Sequence, residues 1–504
     1  MRSFDYIVVG AGTAGCVLAA RLSEDPAVSV LLLEAGSAFP PPLARDPLAW
    51  PALAGTEVDW RYTTVPQAGA DRQELPYPQG KVLGGSGEIN GLTHVRGDPA
   101  SYDAWDEAGA IGWTYASMLP FFMRSETTLG GDPAYRGQDG PVPVDPPATT
   151  DPLWEAFFTA AVEAGHHPNP DSNGPNAEGT SWNEVTVRDG ARRGAAEAYL
   201  APAAERSNLS VLADAGAVRL VVEHGVCRGV AYRVDGHTGV TYADREVLLA
   251  AGTIGSPRLL MLSGIGPGDH LRQVGLPVVA DLPGVGGNLQ DHPRSQVAYA
   301  ANRPVGDGTL ARRPHVLARS GDGPPDLQLS FLAEPIHPRW MPGDEPGFSV
   351  VFALMSPDSR GTVRLSDPDP FAPPLIDPAF LTDDGDVERM VAGLRAAREV
   401  GNAPALAHLR SGEEYPGAAV TSTAVLAQYV RDTATSSFDP VGTCRMGIDG
   451  AAVVDPSLRV HGIAGLRVAD ASVMPSIVSG NANAPTLAIA ERAAGLVREE
   501  PTAA

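Results

Sequence analysis

Cysteine, basic residues and long apolar runs are scarce in this sequence of 504 residues. Its three cysteines, Cys16, Cys227 and Cys444, are scattered without a CxxC pair, which argues against a disulfide scaffold or a zinc knuckle and favours a reduced, cytoplasmic setting. No stretch reaches the ~18 apolar residues of a membrane span, and the N-terminus has no signal-peptide pattern. Lys and Arg number 37 against 60 Asp and Glu, and the net charge of −23 repels phosphate backbones and anionic lipids. We therefore expect no nucleic-acid partner, no membrane span and no bound metal.

Glycine and proline are abundant instead, with 56 and 47 residues, and hydrophobic residues make up 43% of the chain. This composition is typical of a compact, loop-rich globular protein. The length leaves room for two or three domains of roughly 100–200 residues each.

The first 36 residues have the pattern of a strand, a tight turn, a helix and a second strand. An apolar, β-branched run at residues 5–9 leads into the turn GAGTAG at residues 10–15, and a second apolar run at 28–33 ends at Glu34. In such a unit Gly10 permits the tight turn, Gly12 lets the backbone approach a pyrophosphate, and Gly15 lets the helix pack closely. Glu34 lies 19 residues after Gly15, where it would accept hydrogen bonds from ribose hydroxyls. The pattern predicts FAD or NAD binding and disfavours NADP.

Periodicity predicts further elements along the chain. We expect irregular chain at 39–78, helices within 100–125 and 151–165, a polar loop at 166–190, strands within 209–234, a strand at 246–252 followed by a helix at 256–262, strands at 327–331 and 362–365, a helix around 387–394, and a closing strand and helix at 466–470 and 484–497.

Two long segments carry the strongest resemblance to a known family. The runs GKVLGGSGEING at 80–91 and GTIGSPRLLMLSGIG at 252–266 resemble the two signature patterns of the glucose-methanol-choline (GMC) oxidoreductases. The resemblance continues through RGD at 96–98, VGGNLQDHP at 285–293, PVGTCRMG at 440–447 and DASVMP at 470–475, and so covers the chain nearly end to end.

The resemblance implies an α/β fold with two domains. A discontinuous Rossmann-like FAD-binding domain would comprise residues 1–100, 190–300 and 436–504. An α+β substrate-binding domain built on an antiparallel sheet would comprise residues 101–189 and 301–435. The active site is expected between the two domains.

The family reaction is the oxidation of an alcohol by FAD, in which a base takes the hydroxyl proton and flavin N5 takes the carbinol hydride. Carried over position by position, the expected cofactor-binding residues are Gly10, Gly12, Thr13, Ala14, Gly15, Glu34, Leu83, Gly84, Gly85, Ser86, Asn90, Gly91, Val218, Ala251, Asp470, Ala471 and Asn483. Some family members bind FAD covalently through a histidine in the first segment. This sequence has Ile89 there, so we expect non-covalent FAD.

The expected catalytic residues are Asp439 and Asn481, and Asp439 departs from the family pattern. Where the family usually has a histidine before Pro-Val-Gly-Thr, this chain has Asp439. An aspartate, with a usual pKa of about 3.9, is a far weaker base than a histidine at about 6.5.

Several roles stay open for Asp439. It could hold a proton and act as a donor or a tuned base, it could pair with a cationic or amino-substituted alcohol, or it could cap a helix or pair with a cation outside the site. Alternatively His94, His292 or His461 supplies the base, or no base is needed.

The sequence thus predicts an FAD-dependent alcohol oxidase or dehydrogenase that uses dioxygen or another electron acceptor. The rival hypothesis is a flavoprotein of the same fold with a non-oxidative, lyase-type or photochemical reaction, or with FAD as a structural group.

Overall fold

The computed structural model describes residues 3–306, 310, 312–338 and 346–499. Residues 1, 2 and 500–504 of the predicted first domain, and 307–309, 311 and 339–345 of the predicted second, lie outside the described residues. The helices are α1 Thr13–Leu22, α2 Pro99–Glu107, α3 Tyr115–Ser125, α4 Pro152–Glu163, α5 Ala201–Ala203, α6 Gly252–Leu262, α7 Gly268–Gln273, α8 Asp384–Asn402, α9 Thr423–Thr433 and α10 Asn483–Arg498.

The strands are short except where they form the two large sheets. In chain order they are β1 Ser3–Val9, β2 Val30–Leu33, β3 Tyr62–Thr63, β4 Pro76–Tyr77, β5 Glu126–Thr127, β6 Val142–Pro143, β7 Gly179–Trp182, β8 Val187–Arg188, β9 Ala191–Arg192, β10 Leu209–Leu212, β11 Gly216–Glu223, β12 Val226–Val234, β13 His237–Leu249, β14 Ile265–Gly266, β15 Ala280–Asp281, β16 Pro293–Ala301, β17 Pro314–Ala318, β18 Leu327–Leu332, β19 Gly347–Leu354, β20 Thr362–Arg364, β21 Leu375–Asp377, β22 Arg410–Tyr415, β23 Thr435–Ser436 and β24 Leu466–Val468.

The first large sheet is parallel at its centre. Its order is β10-β2-β1-β13-β12-β11, with β24 also paired to β13. Strands β10, β2, β1, β13 and β24 run parallel, whereas β11 and β12 form an antiparallel meander with the first half of β13. Parallel strands must be covered on both faces, and the apolar run of β2 is buried at every position. This is the predicted Rossmann-like sheet, which the last strand of the chain rejoins.

The second large sheet is antiparallel, as the resemblance implied. Its order is β22-β16-β19-β18-β17-β7, with β23 also paired to β16. The 19-residue helix α8 packs against β19 and β16, and Asp383 caps its start by accepting from the Gly385 amide at 2.8 Å. The predicted α/β fold with a second, antiparallel domain is therefore confirmed.

Each sheet has its own hydrophobic core. Aromatic rings of the second core stack in a row, with centroid distances of 5.0 Å between Tyr299 and Phe348 and 5.1 Å between Phe348 and Phe331. Helices α2 and α3 contribute Tyr102, Trp105 and other rings to the first core. The proposed boundary at residue 100 thus does not coincide with a change of core.

The sequence prediction of a polar loop at 166–190 was wrong in part. Residues 179–182 form β7, the edge strand that pairs with β17 in the second sheet. The short run Gly-Thr-Ser-Trp has no apolar alternation, so its strand character comes from tertiary pairing.

None of the helices in the described ranges is long and apolar enough to cross a membrane.

Candidate active site

A cavity of about 1090 Å³ opens at the carboxyl ends of the parallel strands. Gly10 follows β1, Glu34 follows β2, Ala250 follows β13 and Asp470 lies two residues after β24, and all four line the cavity. In open α/β sheets, ligands bind outside the carboxyl ends of the strands. The cavity therefore lies where the predicted nucleotide site should be.

The glycines of the first turn are required by close backbone contacts. Gly10 has a φ of +98°, and a Cβ there would lie 2.5 Å from the carbonyl oxygen of Ala250. A Cβ on Gly15 would lie 1.8 Å from the Gly10 carbonyl oxygen. Gly12 caps α1 without a side-chain hydrogen bond, so the first amides of this helix face the cavity and offer donors to an anion.

The segment at 80–91 forms the opposite wall. Gly85 and Gly12 approach so closely that a Cβ on Gly85 would lie 2.6 Å from the Gly12 Cα. Residues Gly85–Glu88 form a single 3₁₀ turn that places Ser86 against the cavity.

Arg192 does not line the cavity, but it stabilises this wall through hydrogen bonds. Its buried guanidinium donates to the carbonyl oxygen of Gly87 at 3.0 Å, and to the side-chain oxygen of Asn90 at 2.6 Å. It also donates to the backbone carbonyl oxygens of Asn90, at 2.8 Å, and Ala44, at 2.8 Å. Burial lowers the pKa of Arg192 to about 10. Sequence reasoning missed this residue, which lies in no motif.

Three further predicted cofactor residues are tied to the site by hydrogen bonds. Glu34 is buried and accepts from the backbone amides of Ala11, at 2.8 Å, and Gly36, at 2.7 Å. Asp470 accepts from the Gly252 amide at 2.9 Å, and burial raises the pKa of both carboxyl groups. Asn483, the first residue of α10, accepts from the Thr13 hydroxyl at 3.0 Å, which links the two helix starts beside the cavity.

Asp439 reaches the cavity from the second sheet. It follows β23, and its carboxylate oxygens accept from the Asn481 side-chain amide at 3.1 Å and the Ala482 backbone amide at 3.0 Å. Its side chain is 13% exposed, and Asp439 lines the cavity. The two predicted catalytic residues are thus in direct contact.

A second carboxyl group lies behind Asp439. Asp291 accepts from the Asp439 backbone amide at 3.0 Å and from the Ser436 hydroxyl, and the Tyr77 side chain also faces it. Burial raises the pKa of Asp291 to about 6.

The structure separates the three candidate histidines. His292 lies beside Asp439, with 3.6 Å between its Nδ1 and Asp439 Oδ2. His94 is buried against Glu126, with 3.4 Å between Nε2 and Oε2, and His461 has its Nε2 3.3 Å from the Gly447 carbonyl oxygen. Neither His94 nor His461 lines the cavity.

Most of the predicted site residues line this one cavity. They are Gly10, Gly12, Thr13, Ala14, Glu34, Gly85, Ser86, Asn90, Ala251, Asp439, Asp470, Ala471 and Asn483. Leu83, Gly84, Gly91 and Val218 do not line it, and Gly15 acts through packing below the turn. Asn481 reaches the site through its bond to Asp439.

An aromatic wall was missed by sequence reasoning. The rings of Trp60 and Tyr62 lie 5.8 Å apart at an interplanar angle of 3°, and the Lys81 ammonium lies 4.9 Å from the centroid of Trp60. All three residues line the cavity. The alternation of aromatic residues at 60 and 62 was a signal, but it lies in the segment read as irregular chain.

The geometry is that of a protein that binds a dinucleotide cofactor. Close backbone contacts leave no room for a Cβ at Gly10, Gly15 or Gly85. The open amides at the start of α1 fit the two phosphates of FAD, and the buried acid at the end of β2 fits its ribose.

Comparison with known proteins gives the family. The sequence models for the N- and C-terminal parts of GMC oxidoreductases match residues 4–294 and 357–490. The chain is 40% identical to human mitochondrial choline dehydrogenase, over 99% of this chain and 90% of that protein. It is 38% identical to the alcohol dehydrogenase [acceptor] of Pseudomonas putida, over 98% and 95% of the two chains. The crystal structure of pyridoxine 4-oxidase from Mesorbium loti superposes with a TM-score of 0.96 at 35% identity, covering 99% of this chain and 100% of that one.

The chain therefore belongs to the GMC oxidoreductase family and is an FAD-dependent alcohol oxidoreductase. The resemblance seen in the sequence motifs is confirmed.

Proposed function

We propose that this protein oxidises an alcohol to an aldehyde or ketone with Asp439, held by Asn481, in the place of the usual family histidine. The observation that carries the proposal is the position of the Asp439 carboxylate. It lines the same cavity as the glycine-rich first turn and is fixed there by two donors, the Asn481 amide and the Ala482 backbone amide.

When bound, FAD supplies the hydride acceptor, N5. The chain's own residues bind the cofactor and accept the substrate proton. The backbone amides around Gly12, together with Ser86 and Asn90, would hold the cofactor, and Glu34 would accept a hydrogen bond from its ribose. Asp439 accepts the hydroxyl proton of the substrate. Its two hydrogen-bond donors orient the carboxylate while leaving lone pairs for that proton.

The proposed substrate is a small alcohol, with cationic or amino-substituted alcohols as the favoured class. A carboxylate at the cavity wall attracts an ammonium group, whereas the histidine it replaces would not. The human relative is named for choline, a cationic alcohol. Arg294, whose guanidinium carbon lies 5.2 Å from the centroid of Phe438, adds a positive charge near Asp439. A neutral alcohol reacting best would mean that Arg294 already offsets the charge of Asp439.

The test is anaerobic mixing of the FAD-loaded enzyme with neutral, aromatic and amino alcohols. We expect the alcohol to reduce the flavin of the wild type and so bleach its absorbance. Asp439→Asn should reduce its flavin at least about 100-fold more slowly, which is the lower range for the loss of a proton acceptor. Asp439→Asn is a close isostere. The Asn481 side-chain oxygen, which has no hydrogen-bond partner among the described residues, can accept from the new amide after a flip.

Asp439→His serves as the second arm, because it restores the family residue. If no alcohol bleaches the wild type but Asp439→His is bleached, the natural protein has given up alcohol oxidation, and the non-oxidative alternative is favoured. If Asp439→Asn reacts as fast as wild type, Asp439 does not take the proton.

Three finer properties belong to the same proposal. FAD is held without a covalent bond, because the side chain of Ile89 is a hydrocarbon and packs in a small apolar cluster with Val58 and Val82. Acid precipitation of the protein should therefore release the flavin into the supernatant. The electron acceptor is dioxygen or another oxidant, which reoxidation in air or with a quinone distinguishes. A cytoplasmic location rests on the three cysteines, all buried and unpaired, and fractionation of the source cells would test it.

A further inference from the structure

The pairing of two distant strands places His292 directly behind Asp439. His292 precedes β16 and Asp439 follows β23, and these strands pair with Pro293 opposite Ser436. The Ser437 amide donates to the His292 carbonyl oxygen at 3.0 Å. The imidazole is fully buried, with its Nδ1 3.6 Å from Asp439 Oδ2. The sheet therefore fixes the two side chains against each other.

The hydrogen bonding of the ring defines where its proton lies. Nε2 of His292 is 3.0 Å from the backbone carbonyl oxygen of Val478. A carbonyl oxygen only accepts, so Nε2 carries the hydrogen. In the neutral form of the imidazole, which has one N–H, Nδ1 is then an acceptor. Within the part of the chain that the structure describes, Nδ1 has no hydrogen-bond partner.

The partner atom on Asp439 is also an acceptor. Both carboxylate oxygens already receive a hydrogen from an amide, which is the arrangement of an ionised carboxylate. Nδ1 and Oδ2 thus face each other as two acceptors, at a separation too long for a hydrogen bond. One added proton would turn this contact into a buried, charge-assisted hydrogen bond.

We propose that His292 and Asp439 form a joint acceptor for one proton, and that His292 is the positioning residue through which Asp439 retains the proton of the substrate hydroxyl. This inference rests on the proposed function. In the step, the O–H bond of the alcohol breaks and its electron pair stays on the alcohol oxygen. The proton bonds to the Asp439 carboxylate and passes to Nδ1 of His292, which leaves a carboxylate beside an imidazolium.

This arrangement compensates for the low basicity of an aspartate. An imidazole binds a proton more strongly than a carboxylate does. In the family pattern the imidazole itself occupies position 439, whereas in this chain the carboxylate touches the cavity and the imidazole stands behind it.

Three other ionisable side chains face the pair. Asp291 adjoins His292 in the chain, Arg294 comes from β16, and Tyr77 comes from β4. Asp291 and Arg294 carry opposite charges, so their fields partly cancel at the pair. Asp291→Asn is therefore a needed control for any pH effect.

The test compares two variants of His292 in the FAD-loaded enzyme. In His292→Gln the amide nitrogen can keep the bond to the Val478 carbonyl oxygen, but no acceptor faces Asp439. In His292→Asn the amide nitrogen takes the place of Nδ1 and donates permanently to Asp439. We expect both to bind FAD normally and to reduce it about 100-fold more slowly near neutral pH. A purely structural role would be rescued by His292→Gln.

A double-mutant cycle adds a second measurement. If the two residues act as one acceptor, His292→Gln should cost less than about threefold in the Asp439→Asn background. Full additivity of the two losses would overturn the proposal, and so would wild-type rates in His292→Gln.

The third measurement does not depend on activity. In enzyme labelled with ¹⁵N-histidine, the Nδ1 signal of His292 is assigned by its loss in His292→Gln. We expect an unprotonated Nδ1 at high pH that gains a proton on acidification in the wild type and in Asp291→Asn, but not in Asp439→Asn, whose amide donates to Nδ1. An Nδ1 signal that does not titrate, or that titrates equally in Asp439→Asn, would overturn the inference.

The two proposals fail in different ways. If the alcohol reaction itself is wrong, no alcohol reduces the wild-type flavin. If only the shared proton is wrong, alcohols reduce the wild type, and His292→Gln keeps its rate and its pH profile.

Discussion

Gly12 and Gly85 bring the two walls of the cavity into backbone contact, and a Cβ on Gly85 would lie 2.6 Å from the Gly12 Cα. The two residues come from segments separated by a long irregular stretch of chain. One belongs to the dinucleotide turn and the other to the first signature segment, at 80–91. Their contact joins the start of α1 to the segment that carries Ser86 and Asn90.

Gly85→Ala should therefore weaken FAD binding. Gly85 has a φ of +59°, so the substitution combines backbone strain with a clash against backbone that cannot move aside. We expect the dissociation constant of FAD, measured by flavin fluorescence, to rise at least about tenfold, the equivalent of about 1.4 kcal/mol. Gly225→Ala is the matched control, because Gly225 has a φ of +77° but nothing within 4 Å of its Cβ position. Equal FAD affinity in the two variants would contradict the role of the close approach.

Arg192→Lys should loosen the wall at residues 85–90. The guanidinium satisfies four acceptors on Ala44, Gly87 and Asn90, and a lysine ammonium has only three donors and no planar fork. Each buried acceptor left without a partner costs about 1–3 kcal/mol. We expect a lower melting temperature and faster FAD loss on dilution. The exposed Arg188→Lys serves as control, and a matching loss there would contradict the assignment.

Asp291→Asn should change how stability depends on pH. Burial raises the pKa of Asp291 from 3.8 to about 6, so the folded protein binds this proton more tightly than the unfolded chain does. The associated stability is fully present below pH 3.8 and is lost as the pH rises through about 6, by about 3 kcal/mol in total. The asparagine variant lacks this loss.

The measurement is the free energy of unfolding in urea at several pH values between 4 and 8, for wild type and Asp291→Asn. The stability of the variant relative to wild type should increase with pH across this window. A constant difference would mean that Asp291 titrates alike in the folded and unfolded states.

Asn481→Asp should shift the pH dependence of the reaction. The Asn481 amide nitrogen lies 3.1 Å from Asp439 Oδ2, so the substitution places two carboxyl groups in contact. Two such groups favour sharing one proton, and a base that is already protonated cannot accept another. We expect the acid limb of kcat/KM to move to higher pH by about one unit or more. Asn481→Ser, which is neutral, should slow the reaction without moving that limb, and a shift in both variants would argue against a charge effect.

Much of the site could be predicted from contiguous motifs. Gly10, Gly12 and Glu34 belong to one βαβ unit whose geometry follows from short-range chain constraints, and the structure places all three at the cavity. The segment around Gly85 and Ser86 was also recognisable, because a residue-specific run of that length carries family information.

The residues that sequence reasoning missed act across long separations. Arg192 lies on β9 and reaches back to Gly87 and Asn90, and nothing in the local sequence around Arg192 indicates that contact. Trp60 and Tyr62 lie in chain without regular periodicity. β7 was read as loop because its few residues gain strand geometry only by pairing with β17.

The amino-acid sequence alone was enough to define the dinucleotide turn, the two signature segments, the family resemblance and the presence of Asp439 before Pro-Val-Gly-Thr. These features are local, and each is encoded in a short run of residues. Only the tertiary structure decided which histidine lies beside Asp439, and that Asn481 donates to its carboxylate. The reason is physical: the contact depends on the antiparallel pairing of β16 with β23 and on the docking of the start of α10, which join segments far apart in the chain.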